Sequence, residues 1–146
     1  MPKQIRRWGV LLNESRFTVT AGAVVQDEQG RVLLLNHRFR AGSGWGIPGG
    51  FLRPGEQPQE AIRRELCEEI GLEIETLEVA FVRTLRRYRQ VEIIFRCRPR
   101  RNPGGGVEPR GHEIRRAEWF APHSLPKGLS DDQRALVETA ITTHNE

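Results

Sequence analysis

The segment from Gly50 to Leu72, GFLRPGEQPQEAIRRELCEEIGL, constrains the fold more than any other part of the chain. Pro58 suits the first turn of a helix, because its missing N–H would have no helical partner there. Gly71 is typical of the residue that ends a helix, since it adopts the left-handed conformation without strain. The segment therefore predicts a helix that begins near Pro58 and stops at Gly71.

This predicted helix has an acidic face beside an apolar one. At about 100° per residue, Glu65, Glu68 and Glu69 share one arc of the helix. Like charges at these spacings destabilise an isolated helix, so a compensating partner is expected. Two interpretations remain open: a solvated face with ion pairs to neighbouring arginines, or a site for a hard cation such as Mg²⁺. The neighbouring arc carries the residues expected to anchor the helix to a sheet: Ile62, Leu66 and Ile70.

Strands are expected on both sides of this helix. Residues 17–25 alternate apolar side chains on one face, and residues 31–35 form a second apolar run after the turn at 27–30. These two runs are predicted to pair as a hairpin. The segment from His37 to Gly50 is expected to be rich in loops.

The rest of the chain predicts further strands and one more helix. Ser130 and Gln133 form a capping-box pattern before an amphipathic run, so a final helix is expected there. Strands flanking one helix, with a second helix at the end, favour an α/β (α+β) sandwich around a mixed sheet in a single domain. Further strands are expected at 73–86 (interrupted), 91–98 and 114–120, and a mobile loop at 101–111.

The composition is that of a soluble, basic protein. The formal net charge is +4, and Lys3 and Lys127 are the only lysines among 23 cationic residues. Arginine binds phosphate oxygens bidentately, so a phosphate-rich partner is expected, with nucleic acid as the competing explanation. No apolar stretch approaches the roughly 20 residues that span a bilayer, and we expect a cytoplasmic protein. Cys67 and Cys97 are expected to be buried free thiols.

The acidic segment resembles the signature of a known family, the Nudix hydrolases. Their box is written G-x5-E-x7-R-E-U-x-E-E-x-G-U, where U is a bulky aliphatic residue. Gly50, Glu56 and the run from Arg64 to Leu72 match every specified position. The preceding Trp45–Gly50 segment is similar to the W-x-x-P-G-G lead-in common in the family. The resemblance implies a Nudix-type α/β/α sandwich over residues 17–146, preceded by an extension at 1–16 that could be an added strand or a dimer contact.

The resemblance also implies roles for individual residues. The metal ligands map onto Glu65, Glu68 and Glu69, helped by the backbone carbonyl of Gly49. Glu56 would bind a further metal or pair with a basic residue. Arg64 is expected to orient the glutamates. The implied cofactor is Mg²⁺, for which Mn²⁺ could substitute.

The general base is not fixed to one position in the family. Glu68 and Glu65 are candidates for this role. Glu113, which stands before the strand that contains Trp119, is a third candidate, and Glu108 is a weaker alternative to Glu113. Four further residues are candidates for binding the substrate: Arg38, Arg40, Arg53 and Trp45. The three arginines could equally be solvated surface residues, and Trp45 could equally be a ring packed within the fold.

The implied reaction is Mg²⁺-dependent hydrolysis of a diphosphate bond in a nucleoside diphosphate linked to a further group X. The substrate would be ADP-ribose-like, a sugar nucleotide or a dinucleoside polyphosphate. Alternatives are a nucleoside triphosphate pyrophosphohydrolase, an enzyme acting on RNA 5′ ends, or a nucleotide-binding regulatory module. The intact carboxylates argue against a module without activity. A small nucleotide is therefore the expected partner, RNA is less favoured, and a homodimer remains open.

Overall fold

A computed structural model describes residues 14–101 and 106–142. Helix α1 spans Pro58–Ile70 and helix α2 spans Asp131–Thr142. Short 3-10 turns lie at Arg86–Tyr88 and Pro122–Ser124. The strands are β1 (Thr18–Val25), β2 (Val32–His37), β3 (Trp45–Gly46), β4 (Gly49–Phe51), β5 (Ile74–Leu85), β6 (Gln90–Pro99) and β7 (Ile114–Phe120).

The strands form two sheets. Four strands lie in the order β4-β1-β6-β5, in which β1 and β6 run parallel and the other pairs run antiparallel. The remaining three form an antiparallel sheet in the order β3-β2-β7. The strands expected near 73–86, 91–98 and 114–120 are confirmed, and β5 contains the expected irregularity.

Each helix packs against one side of the strands. Strands β1, β2 and β6 alternate their side chains between two cores, so that Leu33 faces one core and Leu34 the other. The first core contains the apolar face of α1, where Ile62, Leu66 and Ile70 are fully buried. The second contains Leu136, Val137 and Ala140 of α2. The predicted α/β/α sandwich around mixed strands is therefore confirmed.

The predicted β1–β2 hairpin is wrong. The turn forms, with Gly30 at a φ of 75°, but the two strands share only the single bridge between Gln26 and Val32. Both edges of β1 are occupied, one by β4 and the other by β6. Strand β2 therefore enters the other sheet, and the His37–Gly50 segment includes the short strands β3 and β4.

The ends of both helices explain their boundaries. Gly71 caps α1 in the left-handed conformation at a φ of 66°, as predicted. At the start of α2, the Ser130 hydroxyl accepts a hydrogen bond from the Gln133 N–H at 3.2 Å, which is half of the predicted capping box. The other half does not form, because the Gln133 side chain accepts the Ile47 N–H at 3.0 Å instead. This contact ties α2 to the segment between β3 and β4.

Some expectations are corrected or fall outside the described residues. Cys97 is buried as expected, but Cys67 is exposed, because it lies off the apolar arc of α1. Residues 102–105 of the expected loop, and residues 1–13 of the expected extension, lie outside the described residues. The described end of that loop is held at α1, where the Arg110 N–H donates to the Glu69 carbonyl at 2.7 Å. No described helix has the length and apolar character needed to cross a membrane.

Candidate active site

Arg64 is the centre of the acidic face of α1. Its Nε and Nη2 donate to the two carboxylate oxygens of Glu56 at 2.7 and 3.0 Å, forming a bidentate pair. Its Nη1 donates to Glu65 at 2.8 Å and reaches Glu68 at 3.4 Å. Its Nη2 also donates to the Phe51 carbonyl at 3.2 Å, which ties the helix to β4. This is the geometry that an orienting residue requires.

Glu56 is fully engaged as the partner of Arg64. The Arg64 hydrogen bonds, followed by the backbone N–H of Arg53, lower the pKa of Glu56 to about 2. The same contacts raise the pKa of Arg64 above its already high value, so the pair is charged at all ordinary pH values. Of the two roles implied for Glu56, pairing with a basic residue is the one that this geometry favours.

The Glu56–Arg64 pair makes stability depend on pH in acid. The pKa of Glu56 is about 2 in the folded chain against 4.5 normally, so the unfolded chain binds the proton first as pH falls. Its stabilising contribution is complete above about pH 5 and is lost as the pH falls towards 2. We expect Glu56→Gln to be less stable than wild type in urea unfolding at pH 7, with the difference shrinking at pH 3. An equal difference at both pH values would contradict this.

Glu65 lies against the backbone of Gly50. A Cβ at Gly50 would come within 2.7 Å of the Glu65 carboxyl carbon, so only glycine admits the carboxylate here. Burial raises the pKa of Glu65 above its ordinary value, the hydrogen bond from Arg64 opposes this, and the charge of Glu69 adds to the rise. Glu68 is more exposed, and its other basic neighbour is Arg53 at 3.5 Å. The three predicted carboxylates thus share one face but differ in environment.

Glu69 is half-buried, and one oxygen of its carboxylate has no hydrogen-bond partner. Its Oε1 lies 3.8 Å from Nε2 of His37, and both side chains are largely shielded from solvent. Its Oε2 and the Nδ1 of His37 are buried without a hydrogen-bond partner. Buried polar atoms are nearly always paired in folded proteins, so an orphaned carboxylate oxygen points to a ligand. Sequence reasoning missed His37, although the alternation of Leu33, Leu35 and His37 along β2 places all three on the side of α1.

The residues present fit a divalent cation. In the described ranges, no three His, Cys, Asp or Glu side chains are already arranged as a metal site. The unpartnered Oε2 of Glu69 is nonetheless an oxygen donor of the kind that Mg²⁺ prefers, and it stands on a rigid helix beside Glu65. The Gly50 backbone lies next to the Glu65 carboxylate.

The segment before β7 brings Glu113 towards this end of the helix. The Glu113 carbonyl accepts the Arg38 N–H at 2.7 Å, and Ile114 pairs with His37, the neighbour of Glu69. The Glu113 side chain itself is exposed. The Glu108 N–H donates to the carbonyl of Ile70, so Glu108 lies beyond the end of the acidic face.

Three of the candidate substrate contacts are engaged within the chain. The Arg38 guanidinium donates to the His112 carbonyl at 2.8 Å, and Arg53 pairs with Glu68. Trp45 packs edge-on against Phe120, with ring centroids 5.3 Å apart, and Arg116 lies over its face. These contacts favour the packed interpretation of Trp45.

Arg40 differs from these arginines because it borders a cavity of about 530 Å³. Its guanidinium lies directly over Gly46, where a Cβ would collide with it. Partial burial lowers the pKa of Arg40, and the charges of Glu69 and Glu92 oppose that shift. Arg40 therefore borders the cavity within electrostatic range of Glu69. The walls come from residues distant in sequence: Arg40 to Ser43, Trp45, Leu85, Tyr88, Gln90, Gly128, Ser130, Asp132 and Gln133.

The polar groups of this cavity were not predicted from the sequence. Asp132 accepts both Nη atoms of Arg83, at 2.8 and 2.9 Å, and these hydrogen bonds lower the pKa of Asp132. Arg83 also binds Glu92 at 2.5 Å, and the Gln90 amide donates to Thr20 at 3.0 Å. These residues come from β1, β5, β6 and α2, so no local pattern links them.

Comparison with known proteins identifies relatives of both sequence and fold. A family model described as the NUDIX domain matches residues 16–140. A MutT-like protein of Streptomyces ambofaciens is 32% identical over 115 residues, which cover 78% of this chain and 70% of that protein. The human 8-oxo-dGDP phosphatase NUDT18 is 36% identical over 124 residues, or 81% of this chain, but the match spans only 37% of that relative.

A solved structure agrees with the fold. The crystal structure of a MutT NUDIX hydrolase from Burkholderia pseudomallei superposes with a TM-score of 0.73 at 24% identity. The match covers 86% of this chain and 98% of the other. At this identity the likeness concerns the fold alone.

Proposed function

The chain belongs to the Nudix hydrolase family, whose domain model covers residues 16–140, and we propose from this that it hydrolyses the diphosphate bond of a nucleoside diphosphate linked to a further group. ADP-ribose-like compounds, sugar nucleotides and dinucleoside polyphosphates are the substrates of this class. The acidic face of α1 supplies the chemistry, and the cavity beside Arg40 receives the nucleotide.

The position of Arg40 is the observation that supports this location for the nucleotide. Among the described residues its guanidinium joins no salt bridge, although the charges of Glu69 and Glu92 both act on it. A guanidinium left with unused donors between a carboxylate face and a cavity is well placed to bind a phosphate oxygen. A diphosphate held there would extend from the acidic face towards the cavity.

Glu65, Glu68 and Glu69, with the Gly49 carbonyl, would hold Mg²⁺ or Mn²⁺. When bound, the cation neutralises the diphosphate and activates water for attack. Arg64 keeps these side chains oriented through its contacts with Glu56, Glu65 and Glu68.

Glu65 is the residue that we assign to accept the proton of the attacking water. Its carboxylate lies against the Gly50 backbone, beside the proposed cation site. Arg64 holds the same carboxylate in place without leaving it exposed. Glu113 is assigned a supporting position at the edge of the site, since its backbone is fixed next to His37 by β7.

The cavity has the size and chemistry for a nucleoside. Its volume of about 530 Å³ falls in the range of about 300–1,000 Å³ that small-molecule sites occupy. Leu85 and Tyr88 offer apolar and aromatic surface, while Asp132 offers an ionised acceptor because Arg83 lowers its pKa. An acceptor of this kind suits a base or sugar that presents N–H or O–H donors.

The test is a substrate panel with Mg²⁺: ADP-ribose, sugar nucleotides, dinucleoside polyphosphates, the common (d)NTPs and triphosphate-ended RNA, with products separated by chromatography. We expect cleavage within the diphosphate of one of the first three groups. Release of pyrophosphate from a nucleoside triphosphate would replace the proposal with a triphosphate pyrophosphohydrolase. Tight nucleotide binding without cleavage of any substrate would replace it with a regulatory module.

Arg40 provides a separate prediction about binding. A hydrogen bond to a charged group contributes about 1.5–3 kcal/mol, so Arg40→Gln should raise KM by roughly 10- to 100-fold. The change in kcat should be small, because the contact holds the substrate before and during the reaction. The matched control is Arg38→Gln, whose guanidinium is already bound to the His112 carbonyl and whose loss should leave KM nearly unchanged. An unchanged KM for Arg40→Gln would remove Arg40 from the site.

A further inference from the structure

Gly46 is a glycine that its own backbone conformation does not require. It lies in strand β3, where it pairs with Leu35 of β2, and it is not among the described glycines that adopt a positive φ. Glycine weakens a strand, because it loses more conformational freedom on folding and adds no side chain to pack. A glycine inside a strand often marks a place where another group approaches the backbone closely. The neighbours of Gly46 should therefore show why a side chain is absent.

The group that approaches Gly46 is the guanidinium of Arg40. A Cβ on residue 46 would overlap Nη1 of Arg40 and crowd its Cζ. The next atom is Oε1 of Gln133, 3.1 Å from the position of that Cβ, which is a tight contact but not an overlap. The guanidinium of Arg40 is thus the group that a side chain at residue 46 would have to displace.

The backbone on either side of Arg40 is held by hydrogen bonds. The His37 N–H donates to the Gly44 carbonyl at 2.8 Å, which closes the loop, and the Arg40 N–H donates to the His37 carbonyl at 3.3 Å. The buried side-chain amide of Asn36 donates to the Ser43 carbonyl at 2.9 Å. Because these contacts keep the loop in place, a side chain added to β3 would move the guanidinium rather than the loop.

The other side of the Arg40 side chain borders the cavity. Arg40 lines the cavity and is exposed as a residue, while the charges of Glu69 and Glu92 act on it from within the fold. A guanidinium that lies against a glycine backbone keeps the N–H donors of its planar edge available to a ligand. Phosphate oxygens are acceptors that such a fork binds bidentately. The arrangement therefore suits a diphosphate at the mouth of the cavity.

We propose that Gly46 is a positioning residue of the nucleotide site: the missing side chain allows the Arg40 guanidinium to lie against β3, where it binds the diphosphate of the substrate. This inference rests on the proposed function, since it assigns the diphosphate of that reaction to Arg40. A side chain at residue 46 turns the guanidinium away from this position while the loop keeps its backbone hydrogen bonds. Substrate affinity then depends on a residue that has no side chain with which to contact the substrate.

The first test compares Gly46→Ala, Arg40→Gln and the double variant by calorimetry with methylenediphosphonate in the presence of Mg²⁺. This probe keeps the diphosphate that all the candidate substrates share, and its bridging carbon resists hydrolysis. We expect Gly46→Ala to weaken Kd by roughly 10- to 100-fold, as Arg40→Gln should, because both remove the same hydrogen bond to a charged group. The double variant should bind no more weakly than either single variant, because changes that act through one contact are not additive.

The matched control is Gly106→Ala, because a Cβ at Gly106 would meet no atom within 4 Å, and its Kd should equal that of the wild type. Circular dichroism should show a folded Gly46→Ala protein, since the end of a flexible side chain can move aside. A loss in the double variant equal to the product of the two single losses would place the effect at Gln133 rather than Arg40 and overturn the proposal. Failure of the wild type to bind methylenediphosphonate, a wild-type Kd for Gly46→Ala, or an unfolded Gly46→Ala protein would overturn it as well.

Steady-state kinetics distinguish this inference from the proposed function. With a substrate that the wild type cleaves, Gly46→Ala should raise KM by the same factor as Arg40→Gln and leave kcat nearly unchanged. A wild-type KM for Gly46→Ala would reject the role of Gly46 and leave the hydrolase function in place. Non-additive losses of methylenediphosphonate binding, without cleavage of any substrate, would support the position of Arg40 and reject the hydrolase function.

Discussion

Glu69→Gln is expected to lower kcat by on the order of 10³ while nucleotide binding persists. The carboxylate lies beside His37, and its buried Oε2 has no partner within the described structure, so holding it there costs stability. Glutamine has the same shape but lacks the charge that a cation requires. We therefore expect the Mg²⁺-dependent activity to fall and the free energy of unfolding to rise by about 1 kcal/mol, because an unpaired buried carboxylate is removed.

The opposite signs of these two effects make the prediction specific. Steady-state kinetics over a Mg²⁺ titration measure the first, and urea unfolding without metal measures the second. Glu73→Gln is the control: Glu73 is an exposed carboxylate just beyond the end of α1, and its replacement should change neither quantity appreciably. A Glu69→Gln protein with wild-type kcat would remove Glu69 from the proposed metal site.

Arg64→Lys is the second substitution with a large expected effect. Lysine keeps the positive charge but cannot reproduce the planar fork that holds Glu56 bidentately and Glu65 at the same time. Residues that hold metal ligands in place typically contribute about 10- to 100-fold to activity or metal affinity, so we expect a loss of kcat in that range. The apparent affinity for Mg²⁺ should weaken in parallel.

Arg64→Lys should also lower the free energy of unfolding, since it weakens ion pairs with Glu56 and Glu65 whose carboxylates remain in place. The neighbouring Arg63→Lys is the matched control. Arg63 is exposed and donates at 3.0 Å to the Ile74 carbonyl, away from the carboxylates. If both variants lost activity equally, the orienting role of Arg64 would be rejected in favour of a general effect on α1.

The helix and its carboxylate face could be predicted because the determinants are local. The cap at Gly71, the proline at the first turn and the spacing of Ile62, Leu66 and Ile70 all act within a few residues of each other. The pairing of Arg64 with Glu56 was left open between two alternatives, since it depends on how the loop before Pro58 folds back onto the helix.

The errors arose where distant segments decide the outcome. The hairpin failed because β4 and β6, both later in the chain, take the edges of β1. Gln133 left its capping box because the Ile47 N–H lies within reach only in the folded chain. Cys67 was assigned to the interior from its residue type, whereas its position off the apolar arc of α1 already indicated exposure.

The cavity walls have a consequence for how such a protein can diverge. The groups that we propose for bond cleavage lie mainly between Gly49 and Glu69, while the walls of the proposed nucleotide cavity come from residues 40–45, 85–90 and 128–133. Substitutions at Tyr88, Gln90 or Asp132 can therefore reshape the choice of substrate while the carboxylate helix stays intact. A lineage built on this fold can acquire new nucleotide preferences by mutation in one part of the chain and inherit its hydrolytic chemistry unchanged from another.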